Sequence, residues 1–121
     1  MGLVAPGLTM GILLGAIMVF GNVLSLVSVR AALSGQITPD TYGGIRTAAT
    51  RSSDAAWYAA HEAAWPWARA LNGAAIVFGI ATMCLGLTVA PFLVCAALSA
   101  ALTIAGAVAQ IVVGHRAAQR V

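Results

Sequence analysis

Six Lys+Arg and three Asp+Glu make nine charges in 121 residues, against 61% hydrophobic residues and a mean hydropathy of +0.96. An ordinary soluble domain carries about 25% charged residues, so this composition excludes a water-soluble fold and leaves one small membrane domain, 1–121. The net charge of +3 comes from arginine alone, too sparse and scattered for nucleic acid, and two cysteines exclude a disulfide framework.

The first apolar stretch runs from Gly7 to Val29 without a charge and stops at Arg30. At 1.5 Å per residue it covers about 34 Å, enough for a hydrocarbon core of roughly 30 Å. A cleaved signal peptide would need a basic leader and a shorter apolar core, and Met1 to Pro6 carries no charge. A second stretch covers Leu71 to Ala90 and a third Phe92 to Val113. Joined as one helix they would reach about 65 Å, twice the bilayer, so a turn at Thr88 to Pro91 is expected. The chain therefore reads as all-α, with transmembrane spans at about 7–29, 71–90 and 92–113 and a loop at 30–70.

Arg30, Arg46, Arg51 and Arg69 fall in that loop and Arg116 and Arg120 in the C-terminal tail, while the opposite side has no arginine. The positive-inside rule then predicts a multi-pass protein of the cytoplasmic membrane, with loop and C-terminus cytoplasmic and N-terminus outside. Gly7, Gly11 and Gly15 repeat at i, i+4, i+8 and form a helix-packing face. Its partner is another span of the same chain or, in a homo-oligomer, a second copy.

Within the spans the polar residues are all neutral, which argues against a proton relay or coupled transport. Asn22 and Gln110 are candidates for pairing across helices. Cys84 and Cys95 lack metal-ligand spacing and read as small apolar residues. His61 and His115 are the only candidate bases, neither with an obvious nucleophile. The sequence therefore predicts no enzyme, cofactor or metal.

The loop carries the information. After a small, polar connector comes Pro39-Asp40-Thr41-Tyr42-Gly43-Gly44-Ile45-Arg46-Thr47, followed by Thr50, Arg51, Ser52, Ser53 and Asp54. Ser52 or Ser53 is a plausible N-cap, with Asp54 favoured in the first turn. The helix that follows places Trp57, His61 and Trp65 on one face and meets Pro66. Tryptophans prefer headgroup depth, so a short interfacial helix leading across a bend at Pro66 into the second span is expected. Arg46 offers a planar fork of donors suited to a carboxylate or phosphate, with Thr47, Thr50 and Ser53 adding hydroxyls. The alternative is that Arg46 pairs with Asp40, Asp54 or Glu62 and only folds the loop.

Pro39, Gly44-Ile45-Arg46-Thr47, Thr50, Ser53, Trp57 and His61, set between one span and two more, resemble the motif of the SdpI family of small bacterial membrane proteins. In that family the series is a Pro-Asn turn, Gly-Ile-Arg-Thr, Thr-x-x-Ser, and a Trp opening a helix with His or Asn four residues on. Asp40 departs from the usual Asn, and Ala48-Ala49 from a frequent Pro-Trp pair. The resemblance implies an immunity or stress-sensing protein of the inner membrane. Its motif of Gly44, Ile45, Arg46, Thr47, Thr50, Ser53, Trp57 and His61 would bind a ligand or partner, a peptide toxin or a cytoplasmic regulator. The competing expectation is an accessory structural subunit of a larger membrane complex.

Overall fold

The computed structural model describes residues 2–121. Three helices follow one another: α1 (Leu8–Leu33), α2 (Asp54–Cys84) and α3 (Ala90–Gln119). All three are long and apolar enough to cross a membrane. The helix α2 sits between the other two and packs closely on both, whereas α1 and α3 meet only sparingly.

The sequence explains why α2 is central. Its inward face is a run of small residues: Ala60, Ala64, Ala68 and Ala75 are fully buried, and Gly79 continues the stripe. Without a hydrophobic driving force between helices in lipid, close backbone approach is what holds them together. A Cβ on Gly11 would stand 2.6 Å from the Gly86 Cα, and one on Gly15 would stand 2.5 Å from the Gly79 carbonyl oxygen. Gly7 caps α1 with φ of 100° and donates its N–H to the Gly86 carbonyl at 2.8 Å. All three glycines of the expected face thus meet α2 or the turn just after it in the same chain. The large side chains of α1 and α3, such as Phe20, Ile17, Val108 and Ile104, point outward, as lipid contact requires.

Two expectations are corrected. No separate interfacial helix exists among the described residues: α2 runs unbroken from Asp54 through Pro66 to Cys84. Proline removes one backbone hydrogen bond, and packing on neighbouring helices offsets that loss in a membrane helix. The face carrying Trp57 and His61 is also buried inside the protein. The turn between α2 and α3 comes earlier than Thr88 to Pro91, because α2 stops at Cys84 and Gly86 is pinned against Gly7. Pro91 instead lies in the first turn of α3, where its fixed φ suits a helix start. The Thr88 hydroxyl accepts from the Phe92 N–H at 3.2 Å.

At about 1.5 Å per residue, α2 (31 residues) spans roughly 46 Å, well beyond the hydrocarbon core. Its charge-free part lies after Arg69, so the turns from Asp54 to Ala64 stand outside the membrane-crossing segment, beside the loop. Trp65 marks the boundary, with the Arg30 and Arg69 guanidinium groups 5.7 and 6.0 Å from its ring.

Candidate functional site

The chain between α1 and α2 has no helix or strand, yet a dense set of hydrogen bonds holds its middle, from Thr38 to Thr50. Gly43 and Gly44 take φ of 86° and 76°, a region that side-chain-bearing residues rarely adopt. This double turn reverses the chain and aims Ile45 inward. A Cβ on Gly44 would fall 2.8 Å from His61 Nε2 and 2.9 Å from the Trp57 ring, so glycine is required there twice over.

Ile45 is buried between α2 and α3, against the Ala60 carbonyl region and Gly114. Its N–H donates to His61 Nε2 at 2.8 Å, while His61 Nδ1 lies 2.7 Å from the Trp57 carbonyl oxygen. A carbonyl can only accept and an N–H can only donate, so the ring is the neutral Nδ1–H tautomer. Burial holds its pKa below the usual histidine range, with the Arg46 charge acting the same way, although the Trp57 carbonyl opposes both. His61 is therefore a fixed acceptor for the loop backbone.

Arg46 forms the other half of the clasp. Its Nε donates to the Gly43 carbonyl at 2.9 Å, Nη1 to Pro39 at 2.8 Å, and Nη2 to Thr38 at 3.0 Å and to Thr41. The guanidinium also lies 5.1 Å from the Trp57 ring, whose Nε1 donates to the Ile37 carbonyl at 3.1 Å. The pairing with Asp40, Asp54 or Glu62 is not what the structure contains. The Arg46 hydrogen bonds go to carbonyl oxygens, because a tight turn directs several carbonyls at one point and a planar fork can collect them.

Thr47 and Thr50 close the far side of the loop. The Thr47 N–H donates to Thr50 Oγ1 at 2.9 Å, the Thr50 N–H donates to Thr47 Oγ1 at 3.1 Å, and the Thr50 hydroxyl donates to the Ile45 carbonyl at 2.7 Å. His115 Nδ1 of α3 lies 2.9 Å from Thr47 Oγ1 and ties the loop to the third helix. Ser53 is the N-cap of α2, its hydroxyl accepting from the Ala56 N–H at 3.0 Å. Of the motif residues, Gly44, Ile45, Arg46, Thr47, Thr50, Trp57 and His61 thus converge, and Ser53 stands apart from them as a cap. What the loop leaves outside is its tip, with Asp40 and Thr41 exposed and Tyr42 94% exposed.

Below the loop, a chain of amides crosses the bundle. Asn22 Nδ2 donates to the Met18 carbonyl at 2.8 Å and to Thr103 Oγ1 at 2.9 Å. Asn72 Nδ2 donates to Asn22 Oδ1 at 2.8 Å, and Gln110 Nε2 donates to Asn72 Oδ1 and to Ser25 Oγ, both at 2.9 Å. Asn22 and Gln110 therefore do not pair directly; Asn72 bridges them. Asn72 and His115 were each visible as polar residues in or beside a span, and such residues usually find partners on neighbouring helices. The role of Asn72 as the bridge depends on the register of three helices.

The sequence model of the SdpI/YfhL protein family matches residues 36–114, which take in the loop, α2 and most of α3. No curated protein and no solved structure matches the chain.

Proposed function

The chain belongs to the SdpI/YfhL protein family, and on that premise we propose that it is a membrane binding protein of the toxin-immunity or stress-sensing type, with the loop between α1 and α2 as its recognition element. The observation that carries this reading is a loop with no helix or strand, internally hydrogen-bonded, that leaves Tyr42 94% exposed at its tip. Long structureless connections in compact domains are usually functional or disordered. The clasp formed by Arg46, Thr50, Trp57 and His61 argues for the functional case, because it pre-orders the tip and lowers the entropy cost of binding. Tyrosine is a residue type enriched among energetic hot spots.

The motif residues act as scaffold in this reading, and the tip at Asp40, Thr41 and Tyr42 makes the contact. Arg30, Arg46, Arg51, Arg116 and Arg120 gather toward the loop end of the bundle, which favours a cytoplasmic loop in the cytoplasmic membrane and an N-terminus outside. The partner is then a peptide toxin reaching the inner face or a cytoplasmic regulator. The role is binding, with no catalytic step and no cofactor.

The test compares wild type, Tyr42→Ala and Arg46→Ala as tagged full-length chains in membranes of the native host. Captured proteins are identified, and the cells are challenged with the host's own secreted peptides. The reading stands if wild type captures a peptide or soluble regulator, or protects, and Tyr42→Ala does neither at equal membrane abundance. A stoichiometric integral membrane partner retained by Tyr42→Ala would replace this reading with the accessory-subunit one. Recovery alone or as a homo-oligomer, without protection, would also overturn it.

A further inference from the structure

Arg46 commits its guanidinium to the carbonyls of its own loop, but two other arginines make no such bonds. Arg30, in the last turn of α1, and Arg69 of α2 both lie against Trp65, with guanidinium carbons 5.7 and 6.0 Å from the centre of its ring. Both side chains are exposed. Among the described residues, neither guanidinium donates a hydrogen bond or pairs with a carboxylate. Glu62, three residues before Trp65 on α2, is exposed and forms no ion pair with either. The Trp65 Nε1–H donates to no described residue, and since no fully buried side-chain polar atom lacks a partner, it too reaches the surface. The cluster is two cations and a neutral donor, with no acceptor among them.

Beside it a groove of about 460 Å³ opens between α1 and α2, lined by Leu26, Val27 and Arg30 of α1, Trp65 of α2, and Ser34 and Gln36 just after α1. Trp65 thereby brings Arg69 to the margin of the groove. The two ends of the groove differ in chemistry. Leu26 and Val27 stand one turn before Arg30, within the charge-free run of α1, and Val27 is 55% exposed. That level of a membrane-crossing helix is surrounded by acyl chains. The other end carries Arg30, Trp65 and Gln36 at the level where tryptophan meets the headgroups. Two like charges gathered on one ring also repel each other, and an anion between them relieves that repulsion.

We infer that this groove binds an anionic phospholipid of the surrounding bilayer, one whose head carries no ammonium group. Its phosphate meets the Arg30 and Arg69 guanidinium groups beside Trp65, and an acyl chain runs along Val27 and Leu26. Arginine suits the phosphate because its planar fork can donate two parallel hydrogen bonds to the oxygens. The Ser34 hydroxyl donates to the Ala31 carbonyl at 3.1 Å, which leaves its oxygen to accept from a glycerol hydroxyl of the head. A zwitterionic head instead sets a cation of its own against two guanidinium charges. The site depends neither on the partner proposed for the loop tip nor on which side of the membrane the loop faces.

The experiment is native mass spectrometry of the full chain in detergent, titrated separately with dioleoyl phosphatidylglycerol, dioleoyl phosphatidylethanolamine and glycerol 3-phosphate. The first phosphatidylglycerol is expected to bind about 25-fold tighter than phosphatidylethanolamine, since each cation near a membrane surface contributes about fivefold. Arg30→Gln and Arg69→Gln should each weaken it about fivefold. Arg120→Gln, which alters an exposed arginine of the C-terminal tail, should leave it unchanged. Val27→Trp fills the groove without touching either charge and should abolish the preference, so it carries the test if an arginine variant fails to accumulate. Equal affinity for phosphatidylethanolamine would mean ordinary annular lipid and overturn the proposal. Glycerol 3-phosphate binding as tightly would show a site for a free phosphate compound, and an equal loss from Arg120→Gln would reduce the effect to net charge. A dimer that excludes phosphatidylglycerol and dissociates in Val27→Trp would give the groove to a second copy of the chain.

Discussion

Replacing Arg46 by lysine separates a scaffold from a contact residue, because it keeps the charge and removes the fork. In the structure Arg46 gathers the carbonyls of Thr38, Pro39, Thr41 and Gly43. Hydrogen bonds from charged groups contribute about 1.5–3 kcal/mol each when shielded and much less when exposed. Only the bonds to Pro39 and Thr38 are partly buried, so the whole clasp is worth on the order of 3–4 kcal/mol to the local order of the loop. A lysine ammonium, without the planar spread, can satisfy one or two of these carbonyls, which leaves a loss of about 2 kcal/mol. That corresponds to roughly 30-fold faster amide exchange for the loop at a tenfold per 1.4 kcal/mol. Hydrogen–deuterium exchange by mass spectrometry on peptides covering 36–53 reads this directly, with peptides from α3 as the unaffected reference. If exchange of the loop is unchanged while partner capture is lost, Arg46 is a contact residue and the scaffold argument is wrong.

The same assay and simple thermal melts check the rest of the framework. Gly44→Ala must strain a φ of 76° and crowd His61 Nε2, so a local loss of roughly 1–3 kcal/mol is expected, seen as deprotection of Ile45, and normal protection would refute the glycine argument. Gly11→Leu should sharply lower the melting temperature in detergent because its Cβ meets the Gly86 backbone, whereas Gly21→Leu, with open space around it, should leave it unchanged; similar melts for both would discount the close crossing. Asn72→Ala cuts two interhelical hydrogen bonds, each worth about 0.6 kcal/mol on average in membranes, so a loss near 1–2 kcal/mol is expected from unfolding measurements. For pH, His61 has its folded pKa lowered below the unfolded value near 6.5, so the folded loop binds fewer protons than the unfolded one. Loop protection should therefore be full above about pH 6.5 and fall as the pH drops through the folded pKa, after correction for intrinsic exchange; a flat or rising profile down to pH 5 would contradict the assigned tautomer.

The division between what was legible and what was not follows the range of the forces involved. Three membrane helices were readable because hydropathy and helix rise act along the chain, and a run such as Gly7 to Val29 needs nothing from elsewhere to declare itself. The Ser53 cap was readable for the same reason, since its partner is the Ala56 N–H three residues on. Pro66 misled because its local preference to bend is outweighed by packing around Ala64 and Ala68, both fully buried against neighbours that are distant in sequence. The turn misled similarly: Gly86 ends up under Gly7, a contact that fixes the hairpin several residues before the proline that seemed to define it. Arg46 is the most instructive case. Charge complementarity points to Asp40, Asp54 and Glu62, whereas two left-handed glycines just before Ile45 and Arg46 curl the chain so that its own carbonyls fill the fork. Glycines at positive φ immediately before a buried isoleucine and an arginine are thus a signal for a self-clasping loop, one whose turn leaves the side chains of Asp40 and Tyr42 exposed.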